Sequence, residues 1–272
     1  MSADPFSVHH GLGAQVQSYS LIEFSNVVNE LSPEAVQADV AQFKKLGLPH
    51  KDTNDEDLPM ASRLYLAMRS FMDNENLDTL TIREWPEMPN VFGQWPYLGV
   101  ARLVEEGRAV GIEGDADGSL SAWIVENLGL GRCYLSDWLE HDKETITLWH
   151  GGAAPTSLCE PVGSPGGPRI AKHFNIKKPA VIEATIRAAM PVTVFRFWRL
   201  DGKYLLTARE GETIKPKRHL MATNALARMN DDPGEWFEEL CYAGMPHHVA
   251  VIQGHHAAFL KRFGRTMGME LV

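Results

Sequence analysis

Apolar residues recur at helical spacing early in the chain. Leu21, Phe24, Val27 and Val28 mark one stretch, and Val36, Val40 and Phe43 mark a second. Between them, Ser32-Pro33-Glu34 is a helix start: a capping hydroxyl, a proline at the first helical position and an acid near the positive end of the dipole. The pattern predicts helix over 20–46, stopped by Gly47 and Pro49, then a polar loop over 50–58. Leu64, Met68, Phe71 and Met72 predict another helix. Residues 1–20, with Gly11, Gly13 and several small polar residues, read as a mobile lead-in whose His9-His10 pair is solvent-exposed.

From residue 77 the period changes. Short strands are predicted at 77–82 and 110–112, helices at 94–106 and 119–127, and a strand at 146–149. Residues 151–168 are rich in glycine and proline and read as a linker. Beyond them come three strand candidates, 180–187, 192–200 and 203–209, the last two joined by the hairpin signal Asp201-Gly202. A helix at 234–241, a strand at 249–252 and a helix at 256–263 complete the reading. The fold class expected is α/β: an amino-terminal region, residues 1–155, with a partly parallel sheet, followed by a β-rich, barrel-like carboxyl-terminal domain, residues 156–272.

Composition narrows the function classes. The chain has 272 residues, 44% of them hydrophobic and 22% charged, enough for one large or two smaller cores. The formal net charge of −9 argues against non-specific binding to nucleic acid or to an anionic membrane. No apolar run approaches the roughly 20 residues of a membrane helix. Met1-Ser2-Ala3-Asp4-Pro5 lacks the basic-then-apolar order of a signal peptide. Cys133, Cys159 and Cys241, an odd number without CxxC spacing, fit reduced thiols in a cytoplasmic protein.

The candidate chemistry lies in three separated blocks: Trp85-Pro86-Glu87, Glu113-Gly114-Asp115-Ala116-Asp117-Gly118, and Pro246-His247-His248. If they converge, two carboxylates and an imidazole could form the inner shell of a divalent cation such as Mn²⁺, and one carboxylate could act as a general base. Prolines 86 and 89 fix the direction of Glu87, although a loop glutamate is usually exposed and inert. Asp117-Gly118 reads as the cap of the following helix, and the acidic block as a metal-holding turn between strand and helix. The alternative for the whole block is a solvated turn. His150, in Trp149-His150-Gly151-Gly152, is a further imidazole candidate. No nucleophile elbow or P-loop occurs, and Gly11-Leu12-Gly13 does not complete a dinucleotide fingerprint. Arg196, Arg199 and Lys203, interleaved with Phe195, Phe197 and Trp198, read as one solvated and one core face of a strand.

Several motifs occur in an order that resembles proteins related to L-fucose isomerase and L-arabinose isomerase, over roughly residues 20–272. They are Glu84-Trp85-Pro86-Glu87, Glu113-Gly114-Asp115 with Gly118-Ser119-Leu120-Ser121, Trp149-His150-Gly151-Gly152-Ala153-Ala154-Pro155, Asp201-Gly202-Lys203-Tyr204 with Gly211-Glu212, and Gly244-Met245-Pro246-His247-His248. The resemblance implies a ketol isomerase acting on a sugar through an ene-diolate. It implies a Mn²⁺-type ion (or Mg²⁺ or Co²⁺) on Glu87, Asp115 and His248, with His247 as the alternative imidazole. Glu87 and Asp115 are the implied catalytic carboxylates, and Glu113, His150 and His247 the implied substrate contacts. The family has a further α/β domain before the matched region, which this chain is expected to lack. That expectation points to a homo-oligomer. It also leaves two alternatives: a metal-dependent decarboxylase or carbon–carbon cleaving enzyme on a sugar-derived acid, and a non-catalytic subunit.

Overall fold

The computed structural model describes residues 4–272; the first three residues of the lead-in lie outside the described residues. Within the lead-in, Pro5–Leu12 forms a helix, α1, which the sequence reading does not predict. Its signals are the ones read correctly at Ser32: Asp4 caps two backbone N–H groups and Pro5 occupies the first turn. The predicted long helix is two, α2 (Leu21–Glu30) and α3 (Pro33–Lys44), divided at Leu31-Ser32. Next come α4 (Leu58–Asn74), β1 (Thr79–Thr81), α5 (Glu87–Phe92), α6 (Tyr97–Glu105), β2 (Ala109–Gly111) and α7 (Ala116–Asn127). β1 and β2 pair in parallel, as the crossover through α5 and α6 requires. Tyr65 and Met68 of α4 pack with Val100, Leu103 and Val104 of α6 and Val110 of β2 in one core.

The second half contains β3 (Cys133–His141), β4 (Thr145–His150), β5 (Arg169–Ala171), β6 (Val181–Thr185), β7 (Pro191–Leu200), β8 (Lys203–Ile214), β9 (Thr223–Met229), α8 (Pro233–Tyr242), β10 (His248–Gln253), α9 (Ala257–Thr266) and β11 (Glu270–Leu271). The pairing order β8-β7-β10-β3-β4-β9 returns to β8 through a β8–β9 ladder. Six antiparallel strands thus close into a ring, the barrel-like unit expected, with β5, β6 and β11 added outside it. Alternation along the strands divides two cores. Ile146, Leu148, Val192, Val194, Val249 and Val251 belong to one, while Leu135, Phe195, Phe197, Ala250 and Ile252 pack against Ala122 and Val125 of α7 and Leu260 of α9 in the other. The Asp201-Gly202 hairpin forms with both residues at positive φ, and Leu200 pairs with Lys203 across it. β3 and β4 precede residue 155 yet pair with β10 and β9, so the ring runs across that position. Among the described residues, no helix is long and apolar enough to cross a membrane.

Candidate functional site

Four elements meet at the site: the turn between β2 and α7, the middle of β3, the end of β4 and the start of β10. The turn spans Ile112 to Asp115 and is closed by the Asp115 N–H donating to the Ile112 carbonyl at 3.0 Å. Its central residues, Glu113 and Gly114, both have positive φ (57° and 66°), as a type I′ turn requires. Asparagine, aspartate or glycine is the usual first residue of such a turn, and a left-handed glutamate costs about 1 kcal/mol. Glu113 is held there by a hydrogen bond from its N–H to the Glu84 carboxylate at 2.8 Å.

The barrel supplies the other side. His248 opens β10 and pairs directly with Asp137 of β3, so their side chains share a face. They continue the series of Ala250 and Leu135, the face that packs on α7. His150 ends β4. The resulting cluster is tight. His248 Nε2 lies 3.4 Å from both Glu113 Oε2 and Asp137 Oδ1. His150 Nε2 lies 3.9 Å from Glu113 Oε1 and from Asp137 Oδ1. His247 Nε2 is 3.4 Å from Asp137 Oδ1 but mostly exposed.

Three buried atoms here, Asp137 Oδ1, His150 Nε2 and His248 Nε2, have no hydrogen-bond partner. Buried polar groups are rarely left so, and three of them facing one point fit a shared cation. Donors about 2.0–2.3 Å from an ion stand about 3–3.7 Å apart, the spacing found between His248 and the two carboxylates, with His150 slightly wider.

Asp115 stands behind this cluster. It caps α7, accepting from the Gly118 N–H at 2.9 Å, a role expected for Asp117. Both its oxygens accept from Arg196 at 2.6 Å, and Oδ2 also meets His248 Nδ1 at 2.8 Å. A side chain on Gly118 would overlap Asp115 and crowd Arg196, so only glycine admits this contact. Burial opposes ionisation of Asp115, but His248 and Arg196 outweigh it and hold the carboxyl well below the usual range. Donation from His248 Nδ1–H to this carboxylate leaves the Nε2 lone pair facing Glu113 and Asp137, the arrangement common to metal-ligating histidines. Arg196, expected on a solvated face, is fully buried. Arg199 pairs with Asp117 at 2.9 Å, which removes Asp117 from the site as well.

Of the ligand set implied by the resemblance, the structure brings His248 into the cluster and places Asp115 and Glu87 differently. Asp115 has both oxygens committed to Arg196, Gly118 and His248, and orients the imidazole from behind. Glu87 lies at the start of α5, 3.6 Å from Arg83; its Oε2 is also buried without a hydrogen-bond partner, but it belongs to neither grouping of potential ligand atoms. Those groupings are Glu113, His247 and His248, and Asp137, His150 and His248. Asp137 was missed with the whole of β3. The alternation of Cys133 and Leu135 with Tyr134, Ser136 and Trp138 is the signal that could have found it.

Burial opposes charge on His248, but Asp115 and Glu113 override it and raise its pKa to about 9 in the metal-free protein. Burial, opposed by His248 and aided by the Glu113 charge, raises Asp137 to about 6; burial, aided by the neighbouring His248, lowers His150 to about 3. It also raises Glu84 to about 7. A raised folded-state pKa contributes stability that is complete below the unfolded value, about 6.5 for histidine, and lost as pH rises through the folded value. Asp137 and Glu84 lose theirs by about pH 7, leaving the interval from about 7 to 9 to His248. With chelator present, the melting temperature is expected to fall between these pH values. His248→Gln should flatten the slope there; a wild-type slope unchanged by the substitution would refute the assignment.

Residues 180–272 match the L-fucose isomerase C-terminal domain, and residues 2–129 match the L-arabinose isomerase central domain. A sulfoquinovose isomerase of Priestia megaterium (strain ATCC 12872 / QMB1551) is 26% identical across 85% of this chain and 51% of its own length. A second, from Alkalicoccus urumqiensis, is 26% identical across 99% of this chain and 60% of its own. An L-arabinose isomerase of Saccharophagus degradans (strain 2-40 / ATCC 43961 / DSM 17024) is 22% identical across 99% of this chain and 56% of its own. The chain spans about half the length of the curated relatives it matches. With a central-domain match in its first half and a C-terminal-domain match in its last third, the chain is similar to the proteins related to L-fucose isomerase and L-arabinose isomerase.

Proposed function

We propose that this protein is a metal-dependent aldose–ketose isomerase of sugars. The observation that carries the reading is the convergence of three unpartnered buried atoms, on Asp137, His150 and His248, beside the Glu113 carboxylate. Glu113, Asp137 and His248 would hold the ion, with His150 as a fourth donor. Two carboxylate oxygens and imidazole nitrogens suit Mn²⁺ or Co²⁺, with Mg²⁺ as the all-oxygen-preferring alternative. When bound, the cation would act as a Lewis acid toward a sugar's carbonyl and neighbouring hydroxyl oxygens.

The remaining work belongs to the side chains. Glu113 and Asp137 approach the cluster from different modules, so a substrate seated there has a carboxylate on either hand. One takes the proton from the carbon beside the carbonyl, and an ene-diolate forms. The same or the opposite carboxylate returns the proton to the adjacent carbon. Asp115 and Arg196 keep His248 in one tautomer throughout. His247, exposed at the mouth and 3.4 Å from Asp137, is free to contact a substrate hydroxyl. The names of the relatives, sulfoquinovose isomerase and L-arabinose isomerase, support a sugar as substrate. We also retain the cytoplasmic, homo-oligomeric assignment, supported by three free cysteines and by the exposed Trp85 and Val91.

The purified chain with Mn²⁺ is expected to exchange the C1 or C2 hydrogen of a sugar with solvent deuterium. Pentoses, 6-deoxyhexoses, tetroses, and their acid, phosphate and sulfonate derivatives form the screen, read by NMR. Exchange without isomer formation would favour decarboxylation or carbon–carbon cleavage. No exchange with any of them, despite a bound metal, would refute the isomerase reading.

A further inference from the structure

Glu84 is buried completely, yet it belongs to neither group of potential ligand atoms. Its two oxygens serve two different partners. Oε2 accepts from the N–H of Glu113 at 2.8 Å, and Oε1 accepts from the Tyr97 hydroxyl at 2.8 Å. Each partner leads to one side of the candidate metal cluster. Glu113 carries its carboxylate on a left-handed backbone that a glutamate does not adopt by preference. Tyr97 packs edge-on against the His150 ring, with centroids 6.4 Å apart. Its ring also presses on Gly151, where a Cβ would stand 2.6 Å from Tyr97 Cε2.

We propose that Glu84 is a positioning residue that ties the Glu113 turn and the Tyr97–His150–Gly151 contact into one frame and so sets the spacing of the metal donors before an ion arrives. The inference rests on the metal reading given above. Without Glu84, the Glu113 N–H and the Tyr97 hydroxyl would both face a buried space with no acceptor, and the turn would lose the bond that keeps Glu113 in its costly conformation. Side chains that orient ligands from outside the inner shell typically contribute 10–100-fold to metal affinity.

The chemistry makes glutamine and leucine informative opposites. Glutamine can still accept from the Glu113 N–H through its oxygen and donate its amide to the Tyr97 hydroxyl, which then acts as acceptor. Leucine fills similar space and can do neither. Co²⁺ affinity is measured by calorimetry on the full chain without substrate, with the visible spectrum of bound Co²⁺ as a report on coordination geometry. Glu84→Gln is expected to bind close to the wild type with the same spectrum. Glu84→Leu is expected to lose roughly 10–100-fold in affinity and to show an altered spectrum. Equal affinity and an unchanged spectrum in Glu84→Leu would overturn the positioning role. Hydrogen exchange of the Glu113 amide in metal-free wild type supplies a test that needs neither variant: slow exchange is expected, and fast exchange overturns the proposal even if Glu84→Leu does not fold. Failure of the wild type to bind Co²⁺ would instead refute the metal reading, while the exchange measurement would still decide whether Glu84 holds the turn.

Discussion

Glu113→Gln is expected to lower turnover by about two to four orders of magnitude, the usual contribution of a positioned acid–base group. The substitution preserves shape and keeps the backbone N–H that Glu84 accepts, so the turn should survive. It removes one of the two negative charges 3.4 Å from His248 Nε2 and leaves an amide that cannot take a proton from carbon. Metal affinity should fall as well, because one anionic donor becomes a neutral one. The two effects separate at saturating Mn²⁺: the loss in turnover should persist after the binding deficit has been overcome. Full turnover in the saturated variant would remove Glu113 from the proton path and leave Asp137 as the base.

The largest effect on stability is expected at Arg196. The guanidinium and the Asp115 carboxylate are each about 1% exposed, and Arg196→Met strands a buried carboxylate with only the Gly118 N–H and His248 as partners. Breaking such a pair from one side costs about 3–5 kcal/mol. Urea unfolding of the metal-free protein measures this directly. The double variant Asp115→Asn, Arg196→Met should recover much of the loss, since no uncompensated charge remains. Metal affinity should not recover with it, because the neutral amide no longer fixes the His248 tautomer. Recovery of both together would show that Asp115 does not orient His248, and a single variant within 1 kcal/mol of the wild type would show that Asp115 finds other compensation.

The two halves of the molecule differ in how much of them can be read from residues alone. Helices with a complete start signal are legible, as at Ser32-Pro33, and so is the hairpin at Asp201-Gly202, because local chemistry determines them. Closure of the ring is a property of long-range pairing. β3 escapes notice although its own residues carry a signal, and β9 because its neighbours in the ladder, more than its own sequence, define it as a strand. The site follows the same division. Glu113, His150, His247 and His248 stand out through local motifs. Arg196 does not: an arginine between two phenylalanines alternates as a surface residue would, whereas β7 is buried on both faces and Arg196 meets Asp115 at the α7 N-terminus. Asp115 and Glu113, two residues apart, look interchangeable as ligands until the turn sends one carboxylate toward the imidazoles and the other toward the guanidinium.

Glu113 comes from the module built on β1 and β2, while Asp137, His150 and His248 come from the ring. An ion shared among them would be a further link between two parts of the chain whose cores already meet through α7 and through α3, α4 and α6. Its binding energy would then resist the parting of those parts as well as the loosening of either one. Chelation would be felt first as a change in cooperativity: a single unfolding transition in the loaded protein could resolve into two once the link is withdrawn, with the α7–barrel interface as the seam.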